Sequence, residues 1–196
     1  MESKAYARVE CLNFTRLFFL SYPNLQVLLC KNEFHCYNLM LPPHAQEIIM
    51  AKTSYKHPVS KLLSLGEKPA LADEWPNYME MDFTRAHIPE LIRLVQDYDL
   101  ANSPWDENDN VPPVVYGQVH AWRTLAQLKS ADAVPALLEL FTHVDDNYGD
   151  WIQNEVPDAL GMIGLPALKP CVEFLKNRSI DSNHRHFAGL AIVQIS

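Results

Sequence analysis

Positive charge is scarce in this chain of 196 residues: 16 Lys and Arg stand against 24 Asp and Glu, a formal net charge of −8. A nucleic-acid ligand requires a basic stripe, and these Lys and Arg residues do not cluster, so nucleic acid and anionic membranes are set aside as partners. Cysteine is scarce as well. Cys11, Cys30 and Cys36 fall in the first 36 residues and Cys171 stands alone in the main body. That distribution offers no disulfide framework and predicts a reducing, cytoplasmic setting. Long hydrophobic runs are missing: Leu17 to Cys30 is only 14 residues, is interrupted by Pro23 and has no small-residue cleavage site, which argues against a membrane span or a signal peptide. No Gly-rich phosphate loop, nucleophile elbow or H-E-x-x-H helix occurs, so no catalytic motif and no cofactor is predicted.

What the chain does have is 48% apolar residues, enough for a substantial core, and a recurring pattern. The stretch Leu160 to Leu175 reads as the end of one helix, a Gly-Leu-Pro corner and a second helix opened by Ala167 to Pro170. Gly164 supplies the residue free to take positive φ, and Pro166 prevents the first helix from continuing. Val156, Leu160 and Ile163 on one side and Leu168, Val172 and Leu175 on the other fall at helical spacing, so the two stripes are expected to face each other. A unit P-x-[LV]-x-x-L occurs at Pro89 to Leu94, Pro135 to Leu140 and Pro170 to Leu175, the last two separated by 35 residues. The same step relates Leu125 to Leu160 and Ala126 to Gly161. A period of this length predicts stacked helical hairpins.

Residues 1–49 differ: their four acidic and four basic residues cancel, so the net charge of −8 belongs wholly to residues 50–196. Neither helical nor strand periodicity stands out there, and the segment is read as an N-terminal extension of uncertain order before a folded unit of residues 50–196, with a natural start at Met50 as one reading of the composition break. From Met50 on, Pro58 to Gly66 reads as a short helix, Tyr78 to Phe83 as a packed turn, and Thr84 as the N-cap of a helix running to about Asp97. Leu100 to Pro113, rich in Asp, Asn and Pro, is expected to be an exposed connection. Val115, Val119, Trp122 and Ala126 trace one stripe of a long helix, answered by Val134, Leu137, Leu138 and Phe141. Asp150 is expected to cap the next helix, and Pro157 to bend it or reduce its first part to a loose turn. The helix around Phe187, Leu190, Ile192, Val193 and Ile195 is apolar on more than one side, which predicts self-association there or further repeats beyond Ser196.

The run from Leu160 to Leu168, with Gly161, Ile163, Gly164, Pro166 and Ala167, followed by Pro170, Val172 and Leu175, resembles the HEAT-like repeats named after phycobilisome lyases, and Val119 to Leu128 is similar to the matching helix in bacterial HEAT-repeat proteins. The resemblance covers roughly residues 83–196. It implies an all-α fold, an α-solenoid of antiparallel helical hairpins over residues 50–196, and a protein-binding scaffold; a subset of such proteins attach or remove bilin chromophores, the alternative activity.

Side chains with possible chemistry have plainer readings. His184 and His186 point to different helix faces. Cys30, His35 and Cys36 lack a second knuckle for zinc, and Asp145, Asp146 and Asp150 lack the closing Glu of a calcium loop, so no metal site is predicted. Cys171 reads as a small core residue. The partner surface is placed instead on the outward positions of the second helices, Glu90 and Arg93, Glu139 and His143, Glu173 and Lys176, with Trp105 in the acidic connection as an anchor.

Overall fold

The computed structural model describes residues 54–103, 110–144 and 149–195, together with the backbone of residues 19–22 and 25–28. The chain divides into two units, Met1–Gln46 and Glu47–Ser196. In the first, strand β1 (Phe19–Tyr22) pairs antiparallel with β2 (Leu25–Leu28), in the register Phe19 to Leu28 and Tyr22 to Leu25. The sequence gives no strand signal here, because a short apolar run reads alike as strand or buried helix. Its two polar residues, Ser21 and Gln26, are cross-strand partners.

The second unit is all-helical among its described residues. Its α-helices are α1 (Val59–Leu62), α2 (Ile88–Val95), α3 (Tyr98–Ala101), α4 (Gly117–Gln127), α5 (Val134–Leu140), α6 (Gly149–Ile163), α7 (Leu165–Lys176) and α8 (Ser182–Ile195). Short 3-10 turns at Tyr78–Met81, Arg85–His87 and Pro113–Tyr116 punctuate them. Thr84 opens the turn before α2, its N–H donating to His87 Nδ1 at 3.0 Å.

Helix α4 is the centre. Every residue from Gly117 to Ala126 is buried, which replaces the single stripe expected from the sequence with burial all round. The cause is its neighbours: α2 packs on it, α6 packs on it, and the Tyr78–Met81 turn contacts it as well. Helix α6 continues the stack to α8, while α2 touches α5 and α5 touches α7. Leu125 and Leu160, 35 residues apart in the sequence, are both fully buried.

Between α6 and α7 the corner is one residue. Gly164 sits at φ 83°, its N–H bonds the Leu160 carbonyl at 3.1 Å, and Pro166 lies in the first turn of α7. Helix α7 therefore opens at Leu165, before the Ala167 to Pro170 start expected from the sequence, and Pro170 is interior. Its phase also differs. Ala167 and Cys171 are the buried residues, with Leu168, Val172 and Leu175 only half-buried. The reason is that α7 packs chiefly on α8, whose buried residues are Phe187, Ala188 and Ala191, and small residues on both inner faces admit close approach. Phe141, after α5, ties the end together by stacking on Phe187 at 5.6 Å and meeting Phe174 edge-on at 6.0 Å. Close approach recurs between α6 and α8: a Cβ on Gly161 would lie 2.5 Å from the Gln194 Cβ.

Two further expectations are corrected. Leu100 and Ala101 are not an exposed connection but the buried end of α3, capped by Asp97, whose Oδ1 accepts from the Leu100 N–H at 3.1 Å. Pro157 lies inside an unbroken 15-residue α6, and Asp150 falls in its first turn rather than before it. Burial of Ile152, Val156 and Leu160 on both sides of the proline outweighs the one hydrogen bond that its ring removes. On α8, Leu190 and Val193 are exposed, at 47% and 71%, and Ile192 and Ile195 are half-buried.

Candidate functional site

Two arrangements can do more than pack. The first lies where α2, α3 and α5 share a surface. Arg93 is laid over the Tyr55 ring at 3.9 Å, donates from Nη2 to the Ser54 carbonyl at 2.8 Å and stands 3.5 Å from Glu90. Glu90 also accepts from the Lys56 N–H at 2.8 Å. Next to them, the Tyr55 hydroxyl donates to Asp97 at 2.6 Å, and both burial and that carboxylate push the phenol above its ordinary range. Gln96 reaches across to Glu139 at 2.8 Å, and Tyr98 stacks on His143 at 4.2 Å. An open cleft of about 270 Å³ is lined by Tyr55, Arg93, Gln96, Asp97, Tyr98 and Asp99.

Of the residues singled out by sequence, Arg93 lines this cleft with Glu90 beside it, and Glu139 and His143 are met by Gln96 and Tyr98 of the same cleft. Glu173 and Lys176 lie exposed on α7, where Glu173 stands 3.7 Å from Lys169. Trp105 is outside the described residues. Gln96 and Tyr98 were legible only as helix-end residues, since nothing in their spacing says that they bridge to α5.

The second arrangement is buried, and sequence reasoning missed it. His120, Arg123 and Gln127 fall at i, i+3 and i+7 on one face of α4, and residues 66–78 run across that face. The His120 Nε2–H donates to the Gly66 carbonyl at 2.8 Å, which leaves Nδ1 to accept from the Tyr78 hydroxyl at 2.6 Å. Burial lowers the His120 pKa to about 4, with Arg123 and Lys68 adding to the effect and the Gly66 bond opposing it. Burial likewise pushes the Tyr78 phenol up to about 12. Gln127 takes both polarities of the crossing backbone, donating to the Pro76 carbonyl and accepting from the Tyr78 N–H, each at 2.9 Å.

Arg123 is fully buried and grips Glu155 of α6 side-on, Nε to Oε2 at 2.7 Å and Nη2 to Oε1 at 2.6 Å. Trp122 Nε1 adds a third bond to Glu155 at 3.1 Å. Trp75 and Trp151 lie at 5.3 and 5.5 Å from the guanidinium, within cation–π range. Burial pushes the Glu155 carboxyl up, against the pull of Arg123 and Trp122. The available signal was a charged residue on each of two helices that are otherwise read as core.

Neither arrangement presents a poised nucleophile or base. Both ring nitrogens of His120 are engaged, and burial raises the Cys171 thiol to about 11, away from the reactive thiolate. Among the described residues no three His, Cys, Asp or Glu side chains gather as a metal site. His186 Nδ1 is 2.6 Å from the Asn183 carbonyl and its ring packs on Phe187 at 3.9 Å. Cys30, His35, Cys36, Asp145 and Asp146 lie outside the described residues. No described helix is long and apolar enough to cross a membrane. Compared with protein families, with curated proteins and with solved structures, the chain finds no match in any of the three.

Proposed function

We propose that this protein is a non-enzymatic interaction scaffold of the cytoplasm, built as a HEAT-like solenoid whose second helices, α2, α5 and α7, present a mixed-charge strip to another protein. The observation that carries this reading is the polar surface shared by α2, α3 and α5, where Gln96 meets Glu139 and Tyr98 stacks on His143. The serial contacts α2 to α5 to α7 and α4 to α6 to α8 support the two-layer arrangement. Exposed Leu190 and Val193 on α8 support self-association at that end.

Reversing Glu139, Glu173 and Lys176 together tests the strip, because rim charges act on association rate and salt dependence rather than on folding. With a partner captured from host extract, the triple variant is expected to associate more slowly and with a changed salt dependence while keeping its helical spectrum. Unaltered association would move the interface elsewhere. Adding the protein to a free bilin is expected to leave the visible absorption unchanged, and a shift would favour the lyase-like alternative.

A further inference from the structure

Arg123 has a guanidinium edge that its partners do not fill. Of its five N–H donors, Nε and one Nη2 hydrogen are taken side-on by Glu155. On the end-on edge, Nη2 reaches the Lys68 carbonyl at 3.4 Å, Nη1 is buried with no acceptor in hydrogen-bond geometry, and the Tyr78 hydroxyl lies near enough for the guanidinium to pull against the rise of its pKa. Two parallel donors on a rigid plane match a carboxylate, which receives them bidentately. The edge is held in place by Glu155 behind it and by the Trp75 and Trp151 rings beside it.

What lies across that edge is the stretch 67–74. Seven of its residues, Glu67 to Leu71 with Asp73 and Glu74, are exposed, Leu71 at 64%. Its polar ties to Arg123 and Tyr116 are long, Lys68 to Arg123 at 3.4 Å and Glu67 to the Tyr116 hydroxyl at 3.4 Å, while the Trp75 indole holds the Ala70 carbonyl at 3.0 Å and Ala72 packs against the core. On either side the chain is anchored firmly, by the His120 bond to Gly66 and by buried Trp75 and Tyr78. A stretch with little buried surface between two fixed ends opens locally at far lower cost than the helices unfold.

We propose that the end-on edge of Arg123 is a carboxylate-binding site, covered by residues 67–74 and filled, when they lift, by a carboxylate of a bound peptide between Trp75 and Trp151. The incoming group replaces the Lys68 carbonyl and satisfies Nη1. This site belongs to α4 and α6, and so goes beyond the charged strip on α2, α5 and α7.

The test is a titration of the full chain with a free-acid tetra-alanine peptide, its C-terminal amide, and an amidated peptide carrying one Asp, read at the Trp75 and Trp151 indole N–H signals by heteronuclear NMR. Saturable shifts with a carboxylate peptide and none with the neutral amide are expected, and the two acids tell a chain terminus from a side chain. Arg123→Lys, which lacks the planar pair of donors, should abolish them. Because that change also disturbs a buried ion pair, Trp151→Ala at a half-buried position gives a second readout, with binding expected to weaken about ten-fold. No saturation by about 10 mM, equal shifts with the amide, or wild-type affinity in both variants would overturn the proposal.

Discussion

Helix α4 is buried from Gly117 to Ala126 although it carries Gln118, His120, Arg123 and Thr124, whereas α8 leaves Leu190 and Val193 in solvent. Hydropathy alone would have ordered them the other way. The difference is in neighbours: α4 is enclosed by α2, α6 and the Tyr78–Met81 turn, while α8 rests on α6 and α7. A polar residue in the enclosed helix must therefore find its partner inside, and each of the two charged or titratable side chains of α4 does so. An apolar residue on the outer face of α8 faces no such demand.

The sharpest way to break this contrast is to remove one member of the enclosed pair. Glu155→Ala leaves Arg123 charged and buried, and should cost about 3–5 kcal/mol in chemical denaturation. Replacing both, Arg123→Met with Glu155→Leu, should recover stability to within about 1 kcal/mol of the wild type or above it. If the single change were as mild as the double, the pair would not be under the burial described here.

Next in size come the two leucines 35 residues apart. Leu125→Ala and Leu160→Ala should each lose about 2–5 kcal/mol through lost burial and the cavity left behind. A loss confined to one of them would separate the two helices that the 35-residue step relates.

A smaller effect is expected from pH. The folded His120 pKa of about 4 lies below its ordinary 6.5, so the unfolded chain binds more protons in between. The stability contributed by keeping His120 neutral is thus present above pH 6.5 and is lost as pH falls toward 4. His120→Gln should show a shallower loss of melting temperature across that window than the wild type. Parallel slopes would mean that other groups carry the acid sensitivity. The smallest change belongs to α8: Val193→Asp, at an exposed position, should alter monomer stability by no more than about 0.5 kcal/mol, and light scattering at rising concentration would show reduced self-association.

The sequence was most legible where local chemistry decides the structure. Gly164 and Pro166 mark the corner between α6 and α7, Thr84 marks the start before α2, and the buried positions of α6 follow its stripe. It was less legible where tertiary packing decides. Ala167 and Cys171 turn inward because α7 packs on α8, and neither residue outweighs its neighbouring leucines in a stripe count. The Arg123 and Glu155 pair depends on two helices and on residues 66–78 meeting, which no spacing within one helix encodes. Of the candidate surface, the outward charges were readable from helix phase, but the bridges from Gln96, at the end of α2, to Glu139 of α5 and from Tyr98 of α3 to His143, in the turn after α5, were not.

The central claim, that the charged strip and not the apolar end of α8 meets the partner, is tested most directly by one comparison of capture. Equal amounts of the Glu139→Lys, Glu173→Lys, Lys176→Glu variant and of the Leu190→Asp, Val193→Asp variant are used as bait beside the wild type, and the captured protein is quantified by mass spectrometry. The account predicts loss of the partner with the first bait and wild-type capture with the second. Retention by the strip variant together with loss by the α8 variant would contradict it.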